Sequence, residues 1–290
     1  MIDPVIFTIG NLSVHWYGVI IAIAVMVGTF LAEREIKKRG GNSDFIWDLI
    51  LWVVFPGIIG ARAWYVVNDL AGGSTYFSED PVRIFKVWEG GLHIYGAVLF
   101  GILTAWWYAN RRKFDFWMLL DSLAPVLLIS QALGRVANFI NQELYGPPTD
   151  LPWGVSIAAE HRIAPWNDLA QFPVETTRFH PTFFYESIWN LLAAFLILWL
   201  VKKYGPKFKP GAAFYSWLLL EGVGRFWLEF FRPDQPRIPG TELSYSRLIA
   251  LIMALVGAFL LLVRFEKIKL PFMRPGPEKC DRSKDKKWKK

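Results

Sequence analysis

The sequence predicts an all-α integral membrane protein with seven transmembrane helices, an outside N-terminus, an inside C-terminus and a small extracytoplasmic head. Of the 290 residues, 53% are hydrophobic and 20% are charged, and the charges gather between long apolar blocks. A helix needs roughly 20 mostly apolar residues to cross a bilayer, and seven blocks approach that length. Basic residues follow alternate blocks, which is the pattern of cytoplasmic loops.

The predicted spans differ in how purely apolar they are. The central parts of spans one, three, five and seven are free of charge, whereas spans two, four and six are less purely apolar because they carry charged residues. The alternative to membrane spans is a set of buried helices in a large soluble protein. We predict spans at 16–35, 46–67, 92–110, 117–141, 182–201, 211–231 and 244–263.

The placement of basic residues predicts the orientation. Most of the 32 Lys and Arg residues fall in four segments that follow spans one, three, five and seven, namely 37–39, 111–113, 202–209 and 264–290. Cytoplasmic loops are enriched in these residues, so the N-terminus is expected outside. The first residues lack a basic region and a cleavage site, and we therefore expect no removable signal peptide.

The same orientation predicts the domain organisation. We expect one membrane domain over 1–265 and a basic cytoplasmic tail over 266–290. The long loops 68–91 and 142–180 then lie outside. The second of them contains Trp153 and Trp166, which predicts a small folded head at the membrane surface.

Composition excludes several kinds of site. The single cysteine, Cys280, allows neither an intramolecular disulfide nor a cysteine metal cluster. No HExxH, Walker or GxSxG motif is present, and no lysine lies within a predicted span. We expect no metal and no cofactor. The net charge of +7 sits in the inner segments, which favours a membrane partner over nucleic acid.

A polar stripe at the outer end of span four predicts an anion site. Arg135, Asn138 and Asn141 or Gln142 recur at helical spacing, and Glu143 follows them. A guanidinium with neighbouring amide groups suits a phosphate or a carboxylate. The alternative is a polar contact between two helices.

A second charged stripe lies in span six. Glu221, Arg225, Glu229 and Arg232 are spaced four, four and three residues apart, so they share one helix face. Charged residues within a span cost at least about 2.5–3.5 kcal/mol and indicate a functional site. The alternative is a ladder of ion pairs that neutralises itself. All four histidines fall on the outer side, where they could equally serve as interface anchors.

These motifs resemble a known family. The segment 134–146 resembles the signature of the prolipoprotein diacylglyceryl transferases, which are bacterial inner-membrane enzymes. Other matches run in order to about residue 265: Asp3-Pro4-Val5-Ile6-Phe7, His15-Trp16-Tyr17-Gly18, Gly60-Ala61-Arg62, Trp88-Glu89-Gly90-Gly91, Asp121, His180-Pro181, Tyr185-Glu186, Arg225 and Glu229-Phe230-Phe231-Arg232.

The resemblance implies an activity and a setting. It implies transfer of the diacylglyceryl group of phosphatidylglycerol to the lipobox cysteine of a prolipoprotein signal peptide, with formation of a thioether and release of glycerol phosphate. It also implies a multi-pass protein of the bacterial cytoplasmic membrane with its active site on the extracytoplasmic side. We expect a monomer without cofactor.

By the same resemblance, the expected site residues fall into two groups. The catalytic group is Arg135, Arg225, Glu143 and Tyr95, with His93 as an alternative to Tyr95. The substrate-binding group is Tyr17, Arg135, Asn138, Gly146, Glu186, Glu229 and Arg62.

One position departs from the family pattern. Some members carry a histidine, a proposed base, where this chain has Tyr95, and His93 lies two residues earlier. Two residues turn about 200° around a helix, so His93 would not replace that histidine in a helical stretch. A tyrosine is a poor base because its ordinary pKa is about 10. Either Tyr95 only positions substrate, or a carboxylate such as Glu143 takes the thiol proton, or the thiol is deprotonated otherwise.

The residues are also compatible with other functions. A transporter of lipid or of an anionic solute could use the same arginines, although the motifs cluster on one side. A receptor-like or structural seven-helix protein would not need the buried charges. A lipid-modifying enzyme with another acceptor is the nearest alternative, because a fold does not specify an acceptor.

Overall fold

The computed structural model of the chain describes residues 3–10, 12–232 and 235–269. Within these ranges a β-hairpin precedes eight α-helices. The predicted basic tail lies outside the described residues from position 270 onward. The helices are α1 Trp16–Lys38, α2 Phe45–Ala71, α3 Tyr76–Glu79, α4 Ile94–Arg111, α5 Phe116–Ile140, α6 Thr182–Tyr204, α7 Ala212–Leu228 and α8 Tyr245–Arg264.

Seven of these helices coincide with the seven predicted spans to within a few residues, and the short α3 is the exception. Five are long and apolar enough to cross a membrane, namely α1, α2, α5, α6 and α8. The chain is therefore a multi-pass integral membrane protein. The other two are 18 residues (α4) and 17 residues (α7) long, so the count of seven spans stays a prediction. The orientation also stays a prediction.

The N-terminal hairpin is an element that the sequence did not predict. Strand β1 Val5–Ile9 pairs antiparallel with β2 Leu12–His15, and Val5 lies opposite His15. Gly10 adopts φ +58° in the turn, a backbone conformation that glycine accepts readily. The hairpin runs directly into α1 at Trp16, whose N–H donates to the Pro4 carbonyl at 3.0 Å.

The chain divides into two compact units. Unit 1 contains the described residues up to Ala32 and from Leu120 onward, and unit 2 contains Glu33–Leu119. In unit 1, small side chains of α5, α6 and α7 form a buried core that includes Ala124, Ala193 and Ala213. Exposed leucine and phenylalanine side chains on α6 face outward, as expected for a surface in contact with lipid.

Glycines hold α7 and α8 close together in unit 1. A Cβ atom on Gly222 would lie 2.7 Å from the Ala250 carbonyl oxygen of α8. A Cβ atom on Gly257 would lie 2.9 Å from the Tyr215 carbonyl oxygen of α7. Small residues at such contacts let membrane helices approach backbone to backbone. The close contact fixes α7, which carries Arg225.

The segment 142–180 of unit 1 has a small core of its own. Phe179 is fully buried and its backbone bridges to Val155 and Pro148. Arg162 is buried beside it and donates to the carbonyl oxygens of Ile157 at 2.9 Å and Phe172 at 2.5 Å. These contacts give the segment a defined structure. The remaining core side chains are Tyr145, Ile157, Trp166 and Phe183.

Candidate active site

Three helices of unit 1 bring the charged stripes together. The end of α5 supplies Arg135 and Asn138, and the second turn of α6 supplies Glu186. The end of α7 supplies Arg225, and the 3₁₀ turn that follows it supplies Glu229. The predicted stripes on spans four and six thus meet at one network, together with a carboxylate from span five.

Glu186 bridges the two arginines. Its Oε1 accepts from Arg135 Nη2 at 2.6 Å, and its Oε2 accepts from Arg225 Nη1 at 3.4 Å. One carboxylate therefore holds two guanidinium groups side by side.

Glu229 holds Arg225 from the other side. Its Oε1 accepts from Arg225 Nη2 at 2.8 Å and lies 3.9 Å from Arg232 Nη1. Its Oε2 accepts from the Ser244 hydroxyl at 3.5 Å. The Glu229 side chain is fully buried, so these contacts offset the cost of burying a carboxylate. The ladder of ion pairs, which was the alternative to a functional site, is thus present from Arg225 to Arg232.

A turn after α5 links the arginines to Glu143. The residues on either side of Glu143, Gln142 and Leu144, have φ values of +54° and +57°, and they turn the chain sharply. Asn138 Nδ2 then donates to Glu143 Oε1 at 2.7 Å. Asn138 Oδ1 accepts from Arg135 Nη1 at 2.8 Å. The network thus runs continuously from Glu143 to Arg232.

Gly146 packs where no side chain fits. Its N–H donates to the His180 carbonyl at 2.8 Å. A Cβ atom there would lie 2.9 Å from His180 Cβ, 2.9 Å from Thr182 Cγ2 and 3.1 Å from the Phe231 carbonyl oxygen. Glycine at this position therefore lets the 142–180 segment approach the start of α6 and the end of the 3₁₀ turn.

The arginine side chains are the part of the network that is accessible to solvent. The side chains of Arg135 and Arg225 are 21% and 24% exposed, whereas those of Glu186 and Glu229 are 9% and 0% exposed. An anion that approaches the network consequently meets guanidinium N–H groups first. Among the described residues, the buried Nε of Arg135 has no hydrogen-bond partner, so this arginine retains an unused donor.

Asp121 has a structural contact at the other end of the helices. Its Oδ2 accepts from the Gly211 N–H at 2.8 Å and its Oδ1 from the Phe214 N–H at 3.1 Å. A carboxylate in this position satisfies free N–H groups at the start of α7 and complements the helix dipole. Asp121 thus anchors α7 to α5.

The expected residues Tyr17, His93 and Tyr95 lie at the starts of two helices. Tyr17 belongs to unit 1, occupies the first turn of α1 and is 43% exposed. His93 and Tyr95 belong to unit 2. His93 has an extended backbone as the N-cap of α4, and its ring stacks on Tyr95 with centroids 5.0 Å apart. The two side chains are therefore not separated by helical spacing, because only Tyr95 is in the helix.

Arg62 is enclosed by backbone carbonyls in unit 2. Its Nε donates to Ile84 O at 2.9 Å, and its Nη1 donates to Gly90 O at 2.7 Å and Gly91 O at 3.0 Å. Its Nη2 donates to two further carbonyls of the 81–91 segment. A guanidinium has five N–H donors, and these contacts use all of them. Arg62 therefore has no N–H left with which to bind a substrate directly. Its contacts instead hold the 81–91 loop in place.

Several contacts of the network were missed from the sequence. Ser244 and Arg247 come from the start of α8, and Arg247 Nη2 donates to the Glu229 carbonyl at 3.3 Å. Gln131 Nε2 donates to Glu221 Oε1 at 3.4 Å. Gln131 could have been identified from the sequence, because it lies one helical turn before Arg135 on the same face of α5.

A series of hydrogen bonds between aromatic side chains lies next to Gly146. Trp153 Nε1 donates to the Tyr185 hydroxyl at 2.8 Å, and this hydroxyl lies 3.0 Å from His180 Nδ1. An indole N–H can only donate, so the tyrosine proton is free to point at His180. Burial lowers the pKa of His180 below its ordinary value of 6.5, which favours the neutral ring that accepts this proton.

Comparison with known proteins identifies the family. The family model described as prolipoprotein diacylglyceryl transferase matches residues 4–263. A phosphatidylglycerol–prolipoprotein diacylglyceryl transferase of Halalkalibacterium halodurans is 36% identical over 260 residues, which cover 90% of this chain and 85% of that protein. One from Trichormus variabilis is 36% identical over 279 residues, covering 95% and 94% of the two chains. One from Geobacillus kaustophilus is 36% identical over 266 residues, covering 92% and 94%. A family model that spans almost all the described residues, together with relatives matched over most of their length, leads to one conclusion: the chain belongs to the prolipoprotein diacylglyceryl transferase family.

Proposed function

We propose that this protein transfers the diacylglyceryl group of phosphatidylglycerol to the thiol of a lipobox cysteine in a prolipoprotein signal peptide. The observation that carries the proposal is the pair of accessible guanidiniums held by Glu186 in a member of this family. The pair offers forked N–H donors to a phosphodiester, and Arg–phosphate contacts of this kind are strong and directional.

Arg135 and Arg225 are assigned to the phosphate. The phosphodiester carries one negative charge, and the glycerol phosphate that leaves carries two. Donors that already face the phosphate stabilise this growing charge without reorganisation. Glu186 holds the two guanidiniums in place before the lipid arrives, and Glu229 keeps Arg225 oriented afterwards.

The reaction is a displacement at the glyceryl carbon that bears the phosphate. The thiol loses its proton, and the thiolate sulfur forms a bond to this carbon. The bond between carbon and phosphate oxygen breaks, its electron pair stays on that oxygen, and glycerol phosphate departs. The product is a thioether, and no metal or cofactor takes part in the step.

We assign the thiol proton to Glu143. Both oxygens of Glu186 accept from arginines, and the Glu229 carboxylate is buried against Arg225 and Ser244. Glu143 differs because its hydrogen-bond donors are the neutral amides of Asn138 and Asn141. His93 is the alternative for this role, and Tyr95 only positions substrate.

The other expected residues orient the two substrates. We assign Asn138 and Tyr17 to the lipid head group, and Gly146 to the close approach that shapes the site. Arg62 acts through the 81–91 loop that it holds. The acyl chains remain in the bilayer and reach the site through a lateral opening, since moving them into water costs about 0.8 kcal/mol per CH₂ group.

The proposed setting is the bacterial cytoplasmic membrane. Seven spans, an outside N-terminus and a site on the extracytoplasmic side are supported by the alternation of basic segments and by the match between predicted spans and helices. We propose a monomeric membrane domain over 1–265, with 142–180 as its extracytoplasmic head and 266–290 as its cytoplasmic tail.

The test uses the purified protein, phosphatidylglycerol vesicles and two synthetic lipobox peptides, one with cysteine and one with serine in its place. The expected result is a gain of one diacylglyceryl group on the cysteine peptide alone, detected by mass spectrometry, with an equal amount of glycerol phosphate released. A folded protein that binds phosphatidylglycerol but modifies neither peptide would refute the proposal.

A further inference from the structure

Two buried oxygen atoms without donors lie beside the guanidinium pair. Glu221 on α7 is 9% exposed and accepts through Oε1 from Gln131 Nε2 on α5 at 3.4 Å. Glu221 Oε2 and Gln131 Oε1 are both buried, and among the described residues neither has a hydrogen-bond partner. Buried polar atoms are normally paired, because each unpaired one costs about 1–3 kcal/mol.

Gln131 and Glu221 each lie one helical turn from an arginine of the site. Gln131 precedes Arg135 by four residues on α5, and Glu221 precedes Arg225 by four residues on α7. Both helices therefore present an acceptor on the face that carries an arginine. A molecule whose phosphate contacts Arg135 and Arg225 can extend its remaining part toward Gln131 and Glu221.

The chemistry of the pair specifies what it would bind. Two acceptors without donors require a group that supplies two hydrogen-bond donors. Glu221 interacts electrostatically with Glu186 as well as with Arg225 and Arg135, so charges of both signs already surround it and a neutral donor suits the position. The glycerol head group of phosphatidylglycerol is neutral and carries two hydroxyl groups on adjacent carbons.

We propose that Glu221 and Gln131 form a subsite that binds the two hydroxyl groups of the glycerol head group and so selects phosphatidylglycerol among phosphodiester lipids. The subsite rests on the proposed function and specifies its donor. It binds the part of the lipid that leaves with the phosphate. The diacylglyceryl product is consequently the same whichever alcohol the lipid head group contains.

The test compares two lipid donors in the same transfer assay. Phosphatidylglycerol carries both hydroxyl groups, and phosphatidylpropanol has the same three-carbon head without them. Wild-type protein is expected to prefer phosphatidylglycerol in kcat/KM by about tenfold to hundredfold, the effect of a hydrogen bond to a charged group. Glu221→Leu removes both acceptor oxygens, and its preference is expected to fall close to one.

A second variant protects the test against misfolding. Glu221→Gln keeps the side-chain shape and supplies an N–H that can satisfy Gln131 Oε1 internally. Its preference is expected to fall about fivefold or more, because its rate should drop further with phosphatidylglycerol than with phosphatidylpropanol. Ser216→Ala is the matched control on α7, since this buried hydroxyl donates only within its own helix, to the Ala212 carbonyl at 2.8 Å.

The outcomes separate the subsite from the proposed function. Equal losses with both lipids in Glu221→Gln would make the pair a structural contact between α5 and α7, and would refute the subsite alone. An unchanged preference would show that the two oxygens do not bind the hydroxyl groups, with the same consequence. Wild-type protein that makes no diacylglyceryl peptide from phosphatidylglycerol would refute the proposed function and the subsite with it.

Discussion

Glu186→Gln tests whether one carboxylate organises the arginine pair. The substitution keeps the size of the side chain but leaves one oxygen to accept, whereas the wild-type carboxylate accepts from Arg135 at 2.6 Å and from Arg225 at 3.4 Å. The new amide N–H would face a guanidinium. Removing one partner of a buried charged pair costs about 3–5 kcal/mol. The two arginine side chains are still about one-fifth exposed to solvent. We therefore expect the free energy of unfolding to fall by the lower part of that range or less.

The kinetic effect should appear in kcat. Misplaced donors lose transition-state stabilisation, and a drop of about 100-fold in kcat corresponds to about 2.7 kcal/mol. KM for phosphatidylglycerol is expected to stay constant or fall, because the phosphate no longer competes with a carboxylate. The assay is peptide transfer at varied phosphatidylglycerol, with Glu33→Gln as a control carboxylate outside the network. A rise in KM with unchanged kcat would contradict the bridging role of Glu186.

Three further substitutions test other parts of the molecule. Gly146→Ala places a methyl group 2.9 Å from neighbouring side-chain carbons, so activity should fall about tenfold or more and Tm should drop; Gly101→Ala, which meets only an ordinary contact at 3.5 Å, should change neither. Arg62→Lys replaces five donors by three, and amide exchange in the 81–91 loop should become faster; unchanged exchange would show that the carbonyl contacts do not order the loop. The folded pKa of His180 lies below the unfolded value of 6.5, so its contribution to stability is complete above pH 6.5 and is lost as the pH falls through 6.5 toward the folded pKa. His180→Asn should weaken this dependence in thermal unfolding, and an unaltered pH profile would assign it to other groups.

The helices could be predicted because their signal is local. Apolar blocks and the charged residues that bound them lie within single segments, and the helix ends follow them closely. The polar stripes on α5 and α7 were also readable, since they repeat at the spacing of one helix. The hairpin before α1 could not be predicted. It contains only about ten residues, and the alternating pattern of its short strands is hard to distinguish from an irregular segment.

The pairing of charges could not be read from one helix at a time. Pairing of Arg225 along its own stripe was the alternative to a functional site. Arg225 does contact Glu229, but it also shares Glu186 of α6 with Arg135 of α5. That contact depends on how three helices pack. Arg62 is a similar case, because its carbonyl partners belong to a loop some 20–30 residues away in the sequence.

The most direct test measures transfer by variants of the two arginines. Wild type, Arg135→Ala and Arg225→Ala would be compared in the cysteine-peptide assay, with folding checked by thermal unfolding and with Arg111→Ala as a control for loss of positive charge. We expect transfer to fall about 10²–10³-fold in both site variants, the effect of losing a donor to developing charge, and to stay unchanged in the control. Full transfer by folded Arg135→Ala or Arg225→Ala would contradict the assignment of the guanidinium pair to the phosphate.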